Sequence, residues 1–250
     1  MPLLFLLLCL SSLATLNAET ETKERLELLG KIPHSGYSEG LDWHDGYLWH
    51  TLPNQIIKID PKDGSIVERF PPASPYNEAP LWREGKLFVL SYHDNGIYVG
   101  ILKGKTFQFE RKGTTPEIHG WGITSKGKYI VITGDYSSKL YFLDPKTLEV
   151  KKTLETDAKD IEDLAWDGSG FWASSFTHYR GSIFRIDPDT GKKSTLYELP
   201  DPDSCPIVDG LAYDGKSLWV TGKQCPSIYQ VKLPEMRKIT SAPPTKKKEK

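Results

Sequence analysis

A chain of 250 residues, 38% of them hydrophobic and 11% aromatic, is long enough for one large domain with a buried core and excludes an intrinsically disordered chain. Its 32 Lys and Arg against 33 Asp and Glu leave a formal net charge of −1, which gives no global attraction to nucleic acid or to a membrane surface.

The first segment, Met1–Ala18, carries no charge and contains the apolar run Leu3–Leu10. The run is too short to span a bilayer, and the small residues Ser11, Ser12 and Ala14 follow it. Residues 1–18 therefore read as a secretory signal peptide cleaved after Ala14 or Ala18, which predicts a secreted or periplasmic protein without a membrane span. Leucines precede Cys9, an arrangement that argues against lipidation.

Residues 19–234 are expected to form a single domain built on a repeat. With Gly40, Ala79, Trp121, Asp163 and Gly210 as anchors, the spacings are 39, 42, 42 and 47 residues. Three positions after the anchors stand Trp43, Trp82, Thr124, Trp166 and Tyr213, and nine positions after them Trp49, Phe88, Ile130, Trp172 and Trp219. Six of the seven tryptophans occupy these two positions. A period of about 40–45 residues made of short strands is the signature of a β-propeller blade.

Each unit reads as four strands. The anchor strand ends in a Gly-bearing turn, at Asp45-Gly46, Glu84-Gly85, Lys126-Gly127, Asp167-Gly168 and Asp214-Gly215. The second strands are predicted at Tyr47–Thr51, Leu87–Ser91, Tyr129–Thr133, Phe171–Ser175 and Leu218–Thr221. Third strands are predicted at Ile56–Ile59, Ile97–Leu102, Leu140–Leu143, Ile183–Ile186 and Ile228–Leu233. Asp60-Pro, Asp144-Pro and Asp187-Pro then begin turns in which proline presets φ and aspartate bonds the following backbone. Outer strands follow at Ser65–Phe70, Thr106–Arg111, Glu149–Leu154 and Ser194–Leu199. The fifth unit ends after its third strand, so Arg25–Ile32 is expected to supply its outer strand and close the ring. The fold class is thus all-β: a five-bladed β-propeller, its last blade closed by an N-terminal strand, expected to be a monomer. Residues 235–250, ending Lys246-Lys-Lys-Glu-Lys250, read as a disordered basic tail.

Removal of the leader leaves two cysteines, Cys205 and Cys225, an even count that favours a disulfide in an exported chain; two free thiols are the alternative. There is no CxxC, HExxH or His/Cys cluster to support zinc.

Propeller geometry puts the residue before each anchor at one mouth of the central channel: Glu39, Glu78, Gly120, Glu162 and Asp209, four of five acidic. Crowded carboxylates raise one another's pKa unless cations offset them, which is a functional-site pattern. The bland alternative is that they only accept hydrogen bonds from channel-facing amides and water. The loops on the same face are Ser91-Tyr-His-Asp-Asn95, Gly134-Asp-Tyr-Ser137, Phe176-Thr-His-Tyr-Arg180 and Thr221-Gly-Lys-Gln-Cys-Pro226. Lys223 shares the face with the acids, so an ion pair or an acid/base couple is sterically allowed. His93, His119 and His178 lie near the mouth without metal-ligand spacing, and Trp121, the one tryptophan off the repeat, stands beside the channel.

The stretch Gly120-Trp-Gly-Ile-Thr124 with Leu140-Tyr-Phe-Leu-Asp-Pro145 resembles the GWGLT and LYFLDP motifs of the plant-type and bacterial glutaminyl cyclases. Val208-Asp-Gly-Leu-Ala-Tyr213 with Val220-Thr-Gly-Lys223 is similar to the family's LNGIAY and VTGK motifs, and the likeness covers about residues 37–233. The resemblance implies an exported five-bladed propeller that converts N-terminal glutamine into pyroglutamate with release of ammonia, acting on peptides or proteins that begin with glutamine. It implies Glu78 and Lys223 as catalytic residues and Glu39, Tyr92, Trp121, Glu162, Phe176 and Asp209 as substrate-binding residues. Several positions depart from the family. Glu39 stands for a glutamine, Glu162 for the asparagine of an NELE segment, and Tyr92, Phe176 and Cys225 for tryptophans. The added carboxylates remove donors that an oxyanion would use and could favour a substrate ammonium, or a Ca²⁺ held by Glu39, Glu162 and Asp209. No cofactor is otherwise expected. The ends Glu39-Gly-Leu and Asp209-Gly-Leu also resemble metal-dependent lactonases of the gluconolactonase family, whose usual ring has six blades. A third reading is a non-catalytic exported binding propeller.

Overall fold

The computed structural model describes residues 23–34 and 37–235. Residues 1–18, read as a signal peptide, and residues 236–250 of the basic tail lie outside the described residues. The described secondary structure consists of strands alone, and no helix among these residues is long and apolar enough to cross a membrane.

Turn chemistry divides the chain into hairpins as the repeat predicts. At Asp45-Gly46 and Glu84-Gly85 both central residues have positive φ (50° and 80°, 50° and 74°), the two-residue turn whose twist matches antiparallel strands. Asp60, Asp144 and Asp187 each accept a hydrogen bond on Oδ1 from the backbone N–H two residues on, at 3.0, 2.8 and 3.0 Å.

Two short strands come first, β1 (Lys23–Arg25) and β2 (Leu28–Pro33). Blade one is β3 (Gly40–His44), β4 (Tyr47–Leu52), β5 (Gln55–Ile59) and β6 (Ile66–Phe70). Blade two is β7 (Asn77–Arg83), β8 (Lys86–Ser91), β9 (Gly96–Lys103) and β10 (Thr106–Thr114). Blade three is β11 (Gly120–Lys126), β12 (Tyr129–Gly134), β13 (Lys139–Leu143) and β14 (Val150–Glu155). Blade four is β15 (Ile161–Trp166), β16 (Phe171–Ser175), β17 (Ser182–Ile186) and β18 (Leu196–Glu198); blade five is β19 (Ile207–Tyr213), β20 (Ser217–Lys223) and β21 (Ser227–Lys232) with β2. The inner strands β3, β7, β11, β15 and β19 pack against one another in ring order, and β19 returns to β3. Gly40 allows the tight approach, because a Cβ there would lie 2.6 Å from the Ala79 Cα.

Strand β2 runs antiparallel to β21, with Ile32 opposite Ile228, so the amino end does close blade five. The expected single strand Arg25–Ile32 is corrected, however. The chain breaks at Leu26-Glu27, and β1 pairs in parallel with β18, making blade four a five-stranded sheet. The physical reason lies in blade four, whose outer strand spans only three residues rather than the expected Ser194–Leu199. Its edge accepts β1, and Leu26, 5% exposed, drops into the core between.

The repeat tryptophans fill the seams between blades. Trp43 stacks on Trp219 at 6.3 Å and Trp49 meets Trp82 edge-on at 4.9 Å. Trp172 and Trp219 each donate Nε1–H to the aspartate of the preceding Asp-Gly turn, Asp167 and Asp214, at 2.9 Å. Cys205 and Cys225 form a disulfide across the mouth ends of β19 and β20, with both residues buried among Leu199, Val208 and Tyr229. Replacing both cysteines by serine is expected to lower stability by roughly 3 kcal/mol, the loop-closure value for a bridge spanning about 20 residues. Urea unfolding of the two proteins measures the difference.

Candidate functional site

Three of the four acidic side chains, and Trp121, stand at the channel mouth where their inner strands bend. Ladder pairing shifts register between Asn77 and Pro80, between Gly120 and Ile123, between Ile161 and Leu164, and between Val208 and Gly210. These bulges bracket Glu78, Trp121, Glu162 and Asp209, and a bulge re-aims the side chain it carries. Glu39 arrives without a bulge, its N–H bonded to Thr51 O at 3.1 Å as the chain enters β3.

Lys223, the last residue of β20, extends into this ring. Its Nζ lies 3.0 Å from Asp209 Oδ2, 3.2 Å from Glu39 Oε2 and 3.6 Å from Glu162 Oε1. The side chains of Glu39 and Asp209 are wholly inaccessible, and those of Glu162 and Lys223 are 4% and 10% exposed. The Phe176 ring centre is 5.2 Å and the Tyr37 ring centre 5.4 Å from the ammonium, within cation–π range. The three acids suggested as Ca²⁺ ligands therefore converge on an ammonium.

Above the ammonium opens a cavity of 320 Å³ lined by Tyr37, Tyr76, Glu78, Tyr92, His93, Trp121, Tyr136, Glu162, Phe176 and Lys223. Six of the residues singled out from sequence line it: Glu78, Tyr92, Trp121, Glu162, Phe176 and Lys223. Glu39 and Asp209 sit behind that lining, in contact with Lys223. Trp121 packs edge-on to Tyr136 at 5.0 Å and 6.0 Å from Phe176. Opposite, Tyr92 is 5.7 Å from Tyr76 and stacks on His119 at 4.1 Å. Cys225 contributes nothing to the lining, since the disulfide holds it in the core.

Tyr37 and Tyr76 were missed from sequence, and the signal was present as Tyr37-Ser-Glu39 and Tyr76-Asn-Glu78: a tyrosine two residues before a mouth glutamate. Tyr76 donates its O–H to Glu39 Oε1. His93 and Tyr136 lie in mouth loops recognised in the sequence, where nothing separated them from their neighbours.

Electrostatics follow from one ammonium facing four buried carboxyls. Burial raises Glu39, although the nearby Lys223 charge and the Tyr76 hydrogen bond oppose it. Burial, together with the charges of Glu39 and Glu162, raises Glu78 well above the usual carboxylate range. Burial pushes Glu162 up to about 7 against the pull of Lys223, and burial with the Glu162 charge raises Asp209 well above its usual value. Burial alone would lower Lys223, but Asp209, Glu162, Glu39 and Glu78 overcome it, so the lysine stays protonated. A carboxyl whose proton affinity is raised toward neutrality can both take and return a proton at physiological pH.

Deeper in the channel than the mouth acids, Asp42 Oδ2 accepts the Trp82 N–H at 2.6 Å and Asp163 Oδ2 accepts the Leu211 N–H at 2.8 Å, each latching one blade to the next.

The family model described as glutamine cyclotransferase matches residues 3–233. A glutaminyl-peptide cyclotransferase of Arabidopsis thaliana is 28% identical over 130 residues, which cover 46% of this chain and 40% of that relative. The matched stretch thus spans less than half the length of the plant protein. The crystal structure of Myxococcus xanthus glutaminyl cyclase superposes with a TM-score of 0.71 at 16% identity, covering 84% of this chain and 97% of the other. The PQQ-bound aldose sugar dehydrogenase of Streptomyces coelicolor gives a TM-score of 0.56 at 11% identity, with 83% and 98% covered. At such identities these structures share a fold with the chain.

Burial pushes Asp42 up to about 7 despite its backbone hydrogen bonds from Trp82 and Trp43. The folded protein therefore holds a proton that the unfolded chain releases above its normal carboxylate pKa, near 3.8. That stabilisation is complete below about pH 4 and lost as pH rises through 7. Asp42→Asn is expected to flatten the fall in thermal midpoint between pH 5 and 8 and to gain about 2 kcal/mol at pH 8, where the wild-type residue is ionised. Thermal melts across that range check it.

Proposed function

Because the chain belongs to the glutamine cyclotransferase family, we propose that it is a glutaminyl-peptide cyclotransferase, closing an N-terminal glutamine into pyroglutamate with release of ammonia. The observation that carries this reading is a single one: Glu78, a carboxyl with a raised proton affinity, lies beside the Lys223 ammonium in an aromatic-walled cavity. A cavity of 320 Å³ is at the small end of ligand pockets and suits one residue, with the remaining peptide leaving through the mouth.

The chemistry assigns the groups as follows. The substrate's α-ammonium enters a cluster that carries more carboxyls than cations. An α-amine normally titrates near 7.7–8.0, so a carboxyl with raised pKa can draw off its proton at modest cost. The freed amine attacks the side-chain amide carbon, a C–N bond forms, and the carbonyl oxygen takes up negative charge. Glu78 removes a proton from the attacking nitrogen and delivers one to the leaving nitrogen. The old C–N bond breaks, the carbonyl re-forms and ammonia departs, so that no co-reactant is consumed. Trp121, Phe176 and Tyr92 fold the side chain toward the amine, which supplies the proximity term. Lys223 holds Glu39, Glu162 and Asp209 in place and offsets their charge.

The ammonium at the convergence of Glu39, Glu162 and Asp209 supports a site that works without bound Ca²⁺. The buried disulfide supports export to an oxidising compartment, and we read the chain as a monomer acting on peptides or proteins that begin with glutamine.

Incubation of the purified protein with a glutamine-initiated dipeptide is expected to release ammonia. Glu78→Gln is expected to lower kcat by 10²-fold or more, within the range typical of a lost general base, roughly 10²–10⁴. Turnover that is absent, or the same in that variant, rejects the assignment.

A further inference from the structure

Lys223 has three N–H donors, and three carboxylates surround it. Its ammonium is ion-paired to Asp209 Oδ2, Glu39 Oε2 and Glu162 Oε1 at 3.0, 3.2 and 3.6 Å. Glu39 Oε2, Asp209 Oδ2, Glu162 Oε2, Asp209 Oδ1 and Asp163 Oδ1 are buried with no hydrogen-bond partner; the first two meet the ammonium, whereas Glu162 Oε2 and Asp209 Oδ1 are not the atoms that face it. The two carboxyls meet at one ammonium, Asp209 Oδ2 at 3.0 Å and Glu162 Oε1 at 3.6 Å from Nζ, and the Glu162 charge raises Asp209. Two ionised carboxylates side by side are costly, because each penalises the charge of the other and both unpartnered oxygens are buried. A proton placed between them supplies the missing donor and removes one charge.

We propose that Glu162 and Asp209 hold a single proton between them, and that Glu162 is thereby a positioning residue whose neutral form keeps negative charge away from the reaction's oxyanion. This rests on the cyclotransferase reading of the same cavity. The surroundings decide where the proton stays. Facing the pair are Lys223 from β20, Glu39 from the entry to β3, Glu78 from β7 and Asp163 on β15 beside Glu162 itself. Lys223 is the only cation among these groups, and it is shared with Glu39. With one proton on this pair and one more on Glu39 or Glu78, both of which burial raises, four carboxyls and one ammonium sum to a charge of −1. An incoming α-ammonium then brings the cluster to neutrality. The position that the family resemblance fills with an asparagine is filled here by a carboxylic acid that is as neutral as the amide while it keeps its proton.

Burial pushes Glu162 up to about 7, so its proton is held in mildly acidic solution, half lost at neutrality and gone in mildly alkaline solution. Its loss leaves a second net charge beside the developing oxyanion, so kcat falls while KM for a cationic substrate does not rise.

The test compares wild type with Glu162→Gln and Glu162→Ala across pH 6–9, using a glutamine-initiated dipeptide. Glutamine keeps a donor toward Asp209 at every pH. E162Q is expected to lose the alkaline fall in kcat, with a drop of less than about fivefold at pH 6, whereas E162A lowers kcat about tenfold or more throughout. Infrared difference spectra of the resting proteins at pH 6 are the activity-independent arm: wild type minus E162Q is expected to show a protonated carboxylic acid band. An E162Q profile that is lowered equally at all pH values, with no such band, shows both groups ionised and overturns the proposal. A band in a wild-type protein that never turns over the dipeptide leaves the shared proton in place, and it overturns the catalytic role along with the cyclotransferase reading.

Discussion

A buried ammonium encircled by carboxyls is the interaction to which the rest of this structure answers. Four acids drawn from four blades and one lysine repel or attract over a few ångströms, with almost no water between them. Such a cluster persists only where the backbone that carries it cannot relax. The ring provides that rigidity. Five inner strands pack side by side around the axis, the N-terminal strand β2 closes the fifth sheet on β21, and the blades are latched by buried aspartates and stacked indoles. An open ring would let the carboxyls separate and hydrate. Closure and electrostatics are therefore one problem, solved at the opposite ends of the chain.

The same rigidity bears on chemistry. A catalytic carboxyl in water is a weak base, and only burial among like charges raises its proton affinity toward that of an amine. Glu78 gains this from its position over Glu39 and Glu162, while Lys223 prevents the whole cluster from protonating and going silent. The β-bulges on β7, β15 and β19 connect the two levels, because each turns one acidic side chain out of the ladder and into the mouth. The disulfide adds a local fixture: it ties the turn after Lys223 to the segment before Asp209, so the 3.0 Å ion pair between those residues is held from behind as well as from within the sheet.

Blade five also shows how the outer surface adapts. The three-residue β18 leaves blade four with a weak edge, and the chain covers it with β1 before crossing to blade five as β2. One N-terminal segment therefore serves two blades, and the ring is stitched across the junction most exposed to opening.

Much of this was legible in the chain because a propeller repeats itself. The 39–47 residue spacing, the Asp-Gly and Asp-Pro turns and six tryptophans at two positions are local features, and local features survive in one dimension. They determined the blade number, the strand order, the closure at Ile32 and the placing of Glu39, Glu78, Glu162 and Asp209 on one face. Tertiary structure alone decided the rest. That Glu39 and Asp209 sit behind the lining while Glu78 and Glu162 reach it depends on how side chains from separate blades converge on Lys223, a meeting that composition does not record. The Tyr76 bond to Glu39 spans 37 residues, and β1 meets β18 across more than 170, distances over which no pattern of neighbouring residues carries information. The lysine's choice of three carboxylates, and the buried carboxyl oxygens left without a donor, exist only once the ring has closed.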